Sequence, residues 1–179
     1  GETLNVGIGQ GFLLSTPLEL AIMTANLING GKIIRPNIIK SLPDSTKTAS
    51  PKVIYNNFKI EHLNIIKEAM FKVVNSSKGT ARKSTSNDEE YPISGKTGTS
   101  QVREISMAER ATGIIKNKDL PLNKRDHALF IGFAPFNKPK YITAVVLEHA
   151  GGGSASAAPI GRDLLIASRK IIEGIDTNL

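Results

Sequence analysis

Two apolar runs, His127 to Ala134 and Tyr141 to Glu148, are separated only by Pro135-Phe136-Asn137-Lys138-Pro139. Such runs, bounded by prolines and a turn-forming asparagine, read as β-strands. A link this short folds them back on each other as antiparallel neighbours, because a parallel return needs a crossover of about a dozen residues or more. An antiparallel hairpin near the C-terminal end is therefore the element that the remaining segments must accommodate.

Helical signals lie on both sides of it. Thr16, Pro17 and Glu19 form an N-terminal capping box with proline at the first helical position, and Leu18, Ala21, Ile22, Ala25 and Ile28 follow on one apolar face. Gly30-Gly31 ends that helix. A second helix is expected from about Glu61 to Asn75, with Leu63, Ile66, Met70, Val73 and Val74 toward the core. A third opens at Pro159, presents Ile160, Leu164, Ala167 and Ile171, and stops at Gly174. Residues 7–11 read as a tight glycine loop in which Gln10 bonds the loop's own backbone. Residues 33–39 read as extended, 41–52 as a polar loop, 53–55 as a brief strand and 83–90 as an exposed polar stretch. Residues 103–125 are too long and too charged for a hairpin turn, and read as an inserted flap with a short helix near 106–111. The Gly-Ser-Ala run at 151–158 lets the closing helix pack tightly. The fold class that follows is α+β, an antiparallel sheet with packed helices, as a single domain over residues 1–179.

Composition removes several function classes. The 179 residues are 40% hydrophobic, so the chain is not a disordered tail. Lys and Arg outnumber Asp and Glu by 23 to 16, a net charge of +7, but the basic residues are scattered and not interleaved with aromatics, which argues against a nucleic-acid surface. There is no cysteine, hence no disulfide framework, thiol nucleophile or thiolate metal site. His62, His127 and His149 lack metal-ligand spacing, and no metal or cofactor is expected. Asp126 and His127 are adjacent on a strand and point to opposite faces, so they do not form an acid/base dyad.

The stretch with chemical content is Tyr91 to Val102, which contains Ser94-Gly95-Lys96-Thr97-Gly98-Thr99-Ser100. It reads as an edge strand with its bulk removed, and Gly98 leaves room for another backbone. Alternation puts Thr97 and Thr99 on one side and Lys96 on the other. Such an edge can dock an extended peptide, bind a carboxylate with hydroxyls and bring a cation alongside. A nucleotide phosphate loop is excluded, because Glu90 stands where its first glycine is required. A lone Lys-Thr-Gly triplet is equally compatible with a structural edge strand, so the neighbouring motifs decide.

Those motifs occur in order: Gly7-Ile8-Gly9-Gln10-Gly11, Thr16-Pro17-Leu18-Glu19-Leu20-Ala21, Lys78-Gly79-Thr80-Ala81, Ser94 to Val102, and Arg125-Asp126-His127-Ala128-Leu129-Phe130. The set resembles the C-terminal part of the transpeptidase domain of penicillin-binding proteins. The Asp-His-Ala-Leu-Phe stretch, Ala134-Pro135 and Glu148 to Gly152 resemble the elongation-type class B branch. The resemblance implies a peptidoglycan D,D-transpeptidase in which a serine attacks the carbonyl between two terminal D-alanines of a stem peptide and is also acylated by β-lactams. It implies that Lys96 and Thr99 act in catalysis, Lys96 in proton handling and Thr99 through an oxyanion-hole N–H. It also implies that Thr97, Gly98, Thr99 and Ser100 line the substrate. The implied partners are the D-Ala-D-Ala stem peptide, β-lactams and membrane proteins of the elongation complex, at the periplasmic face of the inner membrane.

The family's Ser-x-x-Lys and Ser-x-Asn motifs are missing, since no serine has a lysine three positions on or an asparagine two positions on. The expectation is a C-terminal piece of a longer anchored protein, inert toward penicillin by itself and prone to self-association through Leu4, Val6 and the first helix. A serine β-lactamase shares the Lys-Thr-Gly strand but not the Gly-Gln-Gly and Thr-Pro-Leu-Glu-Leu-Ala segments. A non-catalytic wall-binding module is the alternative from another class.

Overall fold

The computed structural model describes residues 1–7, 9–11, 13–38 and 54–174. The polar loop expected at 41–52, together with Ile39 and Val53, lies outside the described residues. Three strands form an antiparallel sheet in the order β1 (Ser94–Ser100), β2 (His127–Ala134), β3 (Tyr141–Leu147). Among the described residues five α-helices accompany it: α1 (Glu2–Gly7), α2 (Pro17–Ile28), α3 (Ile60–Asn75), α4 (Met107–Thr112) and α5 (Ala157–Glu173). The hairpin is β2–β3, with Ala134 opposite Tyr141 and a cis Ala134–Pro135 bond in the turn.

Helices cover both faces of the sheet. In register, Gly95 faces Gly132, Thr97 faces Phe130 and Thr99 faces Ala128. Directly opposed residues share a face, so this set lies on the α5 side, where Phe130, Ala128 and Val145 pack with Ala157 and Ala158. Phe133 and Ile131 turn the other way and meet Ile28 of α2 and Met70 of α3.

The α2 capping box is present: the Thr16 N–H donates to Glu19 Oε2 at 2.7 Å and the Glu19 N–H donates to Thr16 Oγ1 at 3.2 Å. Ala25 and Ile28 are buried as expected. Leu18 is exposed, and Thr24 is buried because its hydroxyl donates to Leu20 O at 2.8 Å within the helix. In α3, Leu63, Met70 and Val74 are buried while Ile66 is exposed.

The face expected for α5 is the wrong one. Ile160, Leu164, Ala167 and Ile171 are exposed, and Ala157, Ala158, Gly161, Leu165 and Ile166 are buried. The reason is distance. A Cβ on Gly161 would sit 2.3 Å from the Phe130 ring, and one on Gly95 or Gly132 would come within 2.3 or 2.6 Å of the same ring. Phe130 fills a slot that three glycines on three elements leave open, so α5 presents its smallest residues to the sheet.

Residues 2–7 are helical, an element that was not expected there. Two other expectations need correcting. Ser84 is fully buried in the 3-10 turn Arg82–Ser84, within the stretch expected to be exposed. The brief strand at 53–55 is reduced, among the described residues, to a single bridge of Tyr55 to Lys32. The flap helix appears as α4, capped by Ser106, whose Oγ accepts from the Glu109 N–H at 3.1 Å.

Candidate active site

Among the described residues β1 pairs with β2 alone, so its other edge is open. In an antiparallel ladder a residue turns its N–H and C=O toward the same neighbour, and residues two apart do likewise. Gln10 Nε2 donates to Thr99 O at 2.9 Å from outside the sheet. The backbone groups of Thr99, and with them those of Thr97, therefore face the open edge. Lys96 is exposed, and its Nζ donates to Thr97 O at 2.6 Å.

The side chains alternate as expected. Thr97 and Thr99 share the α5 side of the strand, while Lys96, Gly98 and Ser100 take the opposite side. Thr97 is half-buried and Thr99 and Ser100 are exposed, whereas Ser94 is fully buried and its Oγ has no hydrogen-bond partner. The backbone that approaches Gly98 is that of Gly153, where a Cβ would lie 2.3 Å from both Gly98 O and Leu129 O. The loop before α5 thus braces β1 and β2 from behind, and glycine is needed at 153 more than at 98.

Two residues reach this edge that the sequence reading did not place there. Thr80 brings its hydroxyl to 3.4 Å from that of Thr97. Gln10 was expected to bond its own loop; it bonds β1 because Gly9 and Gly11, at φ +76 and +83, turn the loop so that the side chain projects at the strand. The available signal was the presence of Gly-Gln-Gly and Lys-Gly-Thr-Ala in the ordered motif set.

Asp126 and His127 do not pair. Asn117 Nδ2 donates to Asp126 Oδ2 at 2.8 Å and the Asp126 N–H returns a bond to Asn117 Oδ1 at 2.8 Å. His127 Nδ1 accepts the His149 N–H at 2.9 Å, and His149 holds a left-handed φ of 56°. Both histidines secure the strand end.

The flap after β1 rests on an ion pair. Arg103 donates to both carboxylate oxygens of Glu109 at 2.6 Å, and the Ile115 N–H donates to Oε1 at 3.0 Å. The Arg103 guanidinium, then the Ile115 amide, hold the Glu109 carboxyl down to about 2. Beneath lies a cavity of about 340 Å³ bounded by Arg103, Ile105, Ile114, Ile115, Leu120 and Asp126 among others. A depressed carboxyl stabilises the fold above its ordinary value near 4.5, and that contribution is lost as pH falls toward 2. Amide-exchange protection of residues 103–115 should therefore fall between pH 4.5 and 2, and Glu109→Gln should abolish that step. A wild-type flap equally protected across the window would show that the pair does not hold it.

These elements match one known family. The Penicillin binding protein transpeptidase domain matches residues 1–166, and the chain belongs to that family. Within it, the chain is 37% identical over 169 residues to peptidoglycan D,D-transpeptidase MrdA of Haemophilus influenzae, covering 92% of this chain and 25% of that protein. MrdA of Acinetobacter baumannii is 35% identical over 176 residues, with 95% and 25% covered. The crystal structure of Pseudomonas aeruginosa PBP2 in complex with WCK 5153 has the same fold, with a TM-score of 0.74 at 37% identity over 94% of this chain and 33% of that one. PBP2 of Helicobacter pylori, solved as a complex with MreC, gives 0.68 at 30% identity over 96% and 27%. The chain thus spans about a quarter of the length of these curated relatives.

Proposed function

We propose that this chain is the C-terminal part of the transpeptidase domain of a peptidoglycan D,D-transpeptidase, and that β1 is its substrate strand. The observation that carries the reading is the open edge, where the amide groups of Thr97 and Thr99, two threonine hydroxyls and the Lys96 ammonium meet. A stem peptide ending in D-Ala-D-Ala adds antiparallel to this edge. Thr97 and Thr99 take its terminal carboxylate, with Gly98 and Ser100 alongside. The Thr99 N–H faces outward and is placed to stabilise the oxyanion that forms as the scissile carbonyl is attacked. Lys96 supplies positive potential and takes part in the proton network of the nucleophile.

The nucleophile is a serine outside these 179 residues. It forms an ester with the penultimate D-alanine, expels the last one, and an amine of a neighbouring stem peptide then displaces the serine. Ser94 is buried and Ser100 has no positioned base, so neither takes that role. The role we propose for the chain is in cell-wall elongation at the periplasmic face of the inner membrane, with partners among membrane proteins of the elongation complex; the Helicobacter pylori PBP2 solved with MreC supports a protein partner. In isolation the exposed Leu4 and Val6 favour self-association.

The longer protein should form a covalent adduct with a fluorescent penicillin, visible on a denaturing gel, while residues 1–179 alone should not. Labelling of the 179-residue chain would overturn the placement of the nucleophile outside it, and an unlabelled longer protein would overturn the transpeptidase reading.

A further inference from the structure

Side chains occupy two of the backbone acceptors on the open edge of β1. Lys96 Nζ is on Thr97 O and Gln10 Nε2 is on Thr99 O. Lys96 belongs to the strand itself, but Gln10 arrives from 89 positions away in the chain. Its backbone is anchored, since the Gln10 N–H donates to Asn5 O at 2.9 Å and the Gly9 N–H to Val6 O at 3.0 Å. A primary amide N–H at 2.9 Å is chemically the donor that an added peptide strand would bring to the same carbonyl.

We propose that Gln10 is a specificity-determining residue that stands in for the ligand's own backbone N–H on Thr99 O. The proposal rests on the transpeptidase reading of this edge and adds a residue to it. A ligand that brings an N–H to Thr99 must displace Gln10, so it exchanges one hydrogen bond for another. A ligand without that N–H leaves Gln10 in place and loses nothing. Gln10 therefore narrows the preference for amide-bearing ligands that a bare strand edge would show.

The test uses the longer protein with Gln10→Ala and, to keep bulk without a donor, Gln10→Met. Benzylpenicillin carries an acylamino N–H beside its lactam and imipenem carries none, so the two separate the effect. Second-order acylation by benzylpenicillin should rise about three- to tenfold in both variants, the worth of one neutral hydrogen bond, while imipenem stays within about twofold of wild type. Equal changes for both drugs, or slower acylation by benzylpenicillin, would overturn the proposal, because a loosened loop affects both alike. Wild-type protein that neither drug acylates would overturn the transpeptidase reading, and the role of Gln10 with it.

Discussion

Replacing Lys96 by alanine is expected to slow penicillin labelling of the longer protein by about 10²–10⁴-fold, the usual worth of a positioned proton-transfer group. The same change should leave thermal unfolding nearly untouched. Lys96 is exposed, and its ammonium contacts the carbonyl of its own neighbour at 2.6 Å. An exposed side chain of this kind contributes within about 0.5 kcal/mol of stability. A loss of labelling would therefore report chemistry and not folding. Lys96→Arg sharpens the result, because a guanidinium keeps the charge but does not give up its proton. If electrostatic attraction alone mattered, arginine would restore the rate; if proton handling matters, it will not. Labelling of Lys96→Ala within tenfold of wild type would remove the lysine from the proposed mechanism.

The second large effect is structural. Phe130→Ala should lower stability by about 3–5 kcal/mol, as large buried aromatics do when the cavity cannot collapse. Phe130 is fully buried, and its ring lies against Gly95 of β1, Gly132 of β2 and Gly161 of α5. None of the three has a side chain with which to refill the space. Denaturant unfolding of the purified chain would measure the loss, and an unfolding free energy within about 1 kcal/mol of wild type would mean that the slot closes after all. The change also removes the ring that lies between β1 and α5, so the longer protein should lose labelling together with stability.

Much of this was legible from residues. The β2–β3 hairpin, the α2 capping box, the α4 flap helix and the α5 stop at Gly174 all follow from local rules of spacing and capping. The alternation that separates Lys96 from Thr97 and Thr99 is likewise a property of any strand. What was not legible depended on distance between elements. The buried face of α5 was misread because its period was judged by hydrophobic size, whereas contact with Phe130 selects the smallest residues. Ser84 lies in a polar stretch, and its burial comes from the packing of a turn that periodicity does not describe. Gln10 and Thr80 are 89 and 17 positions from their partners on β1. No local pattern ties them to that strand, and only the ordered set of motifs hinted that they belong near one another.

The Gly153 loop behind β1 has a consequence for the kinds of molecule this edge favours. With backbone pressed against its rear, the strand cannot retreat before the visitor, so the conformational entropy lost on docking is surrendered mainly by the visitor. Free peptides arrive as many conformers and give up most of them. A fused-ring mimic arrives with its torsions already settled, and a stiff receptor rewards that stiffness more than a pliable one would.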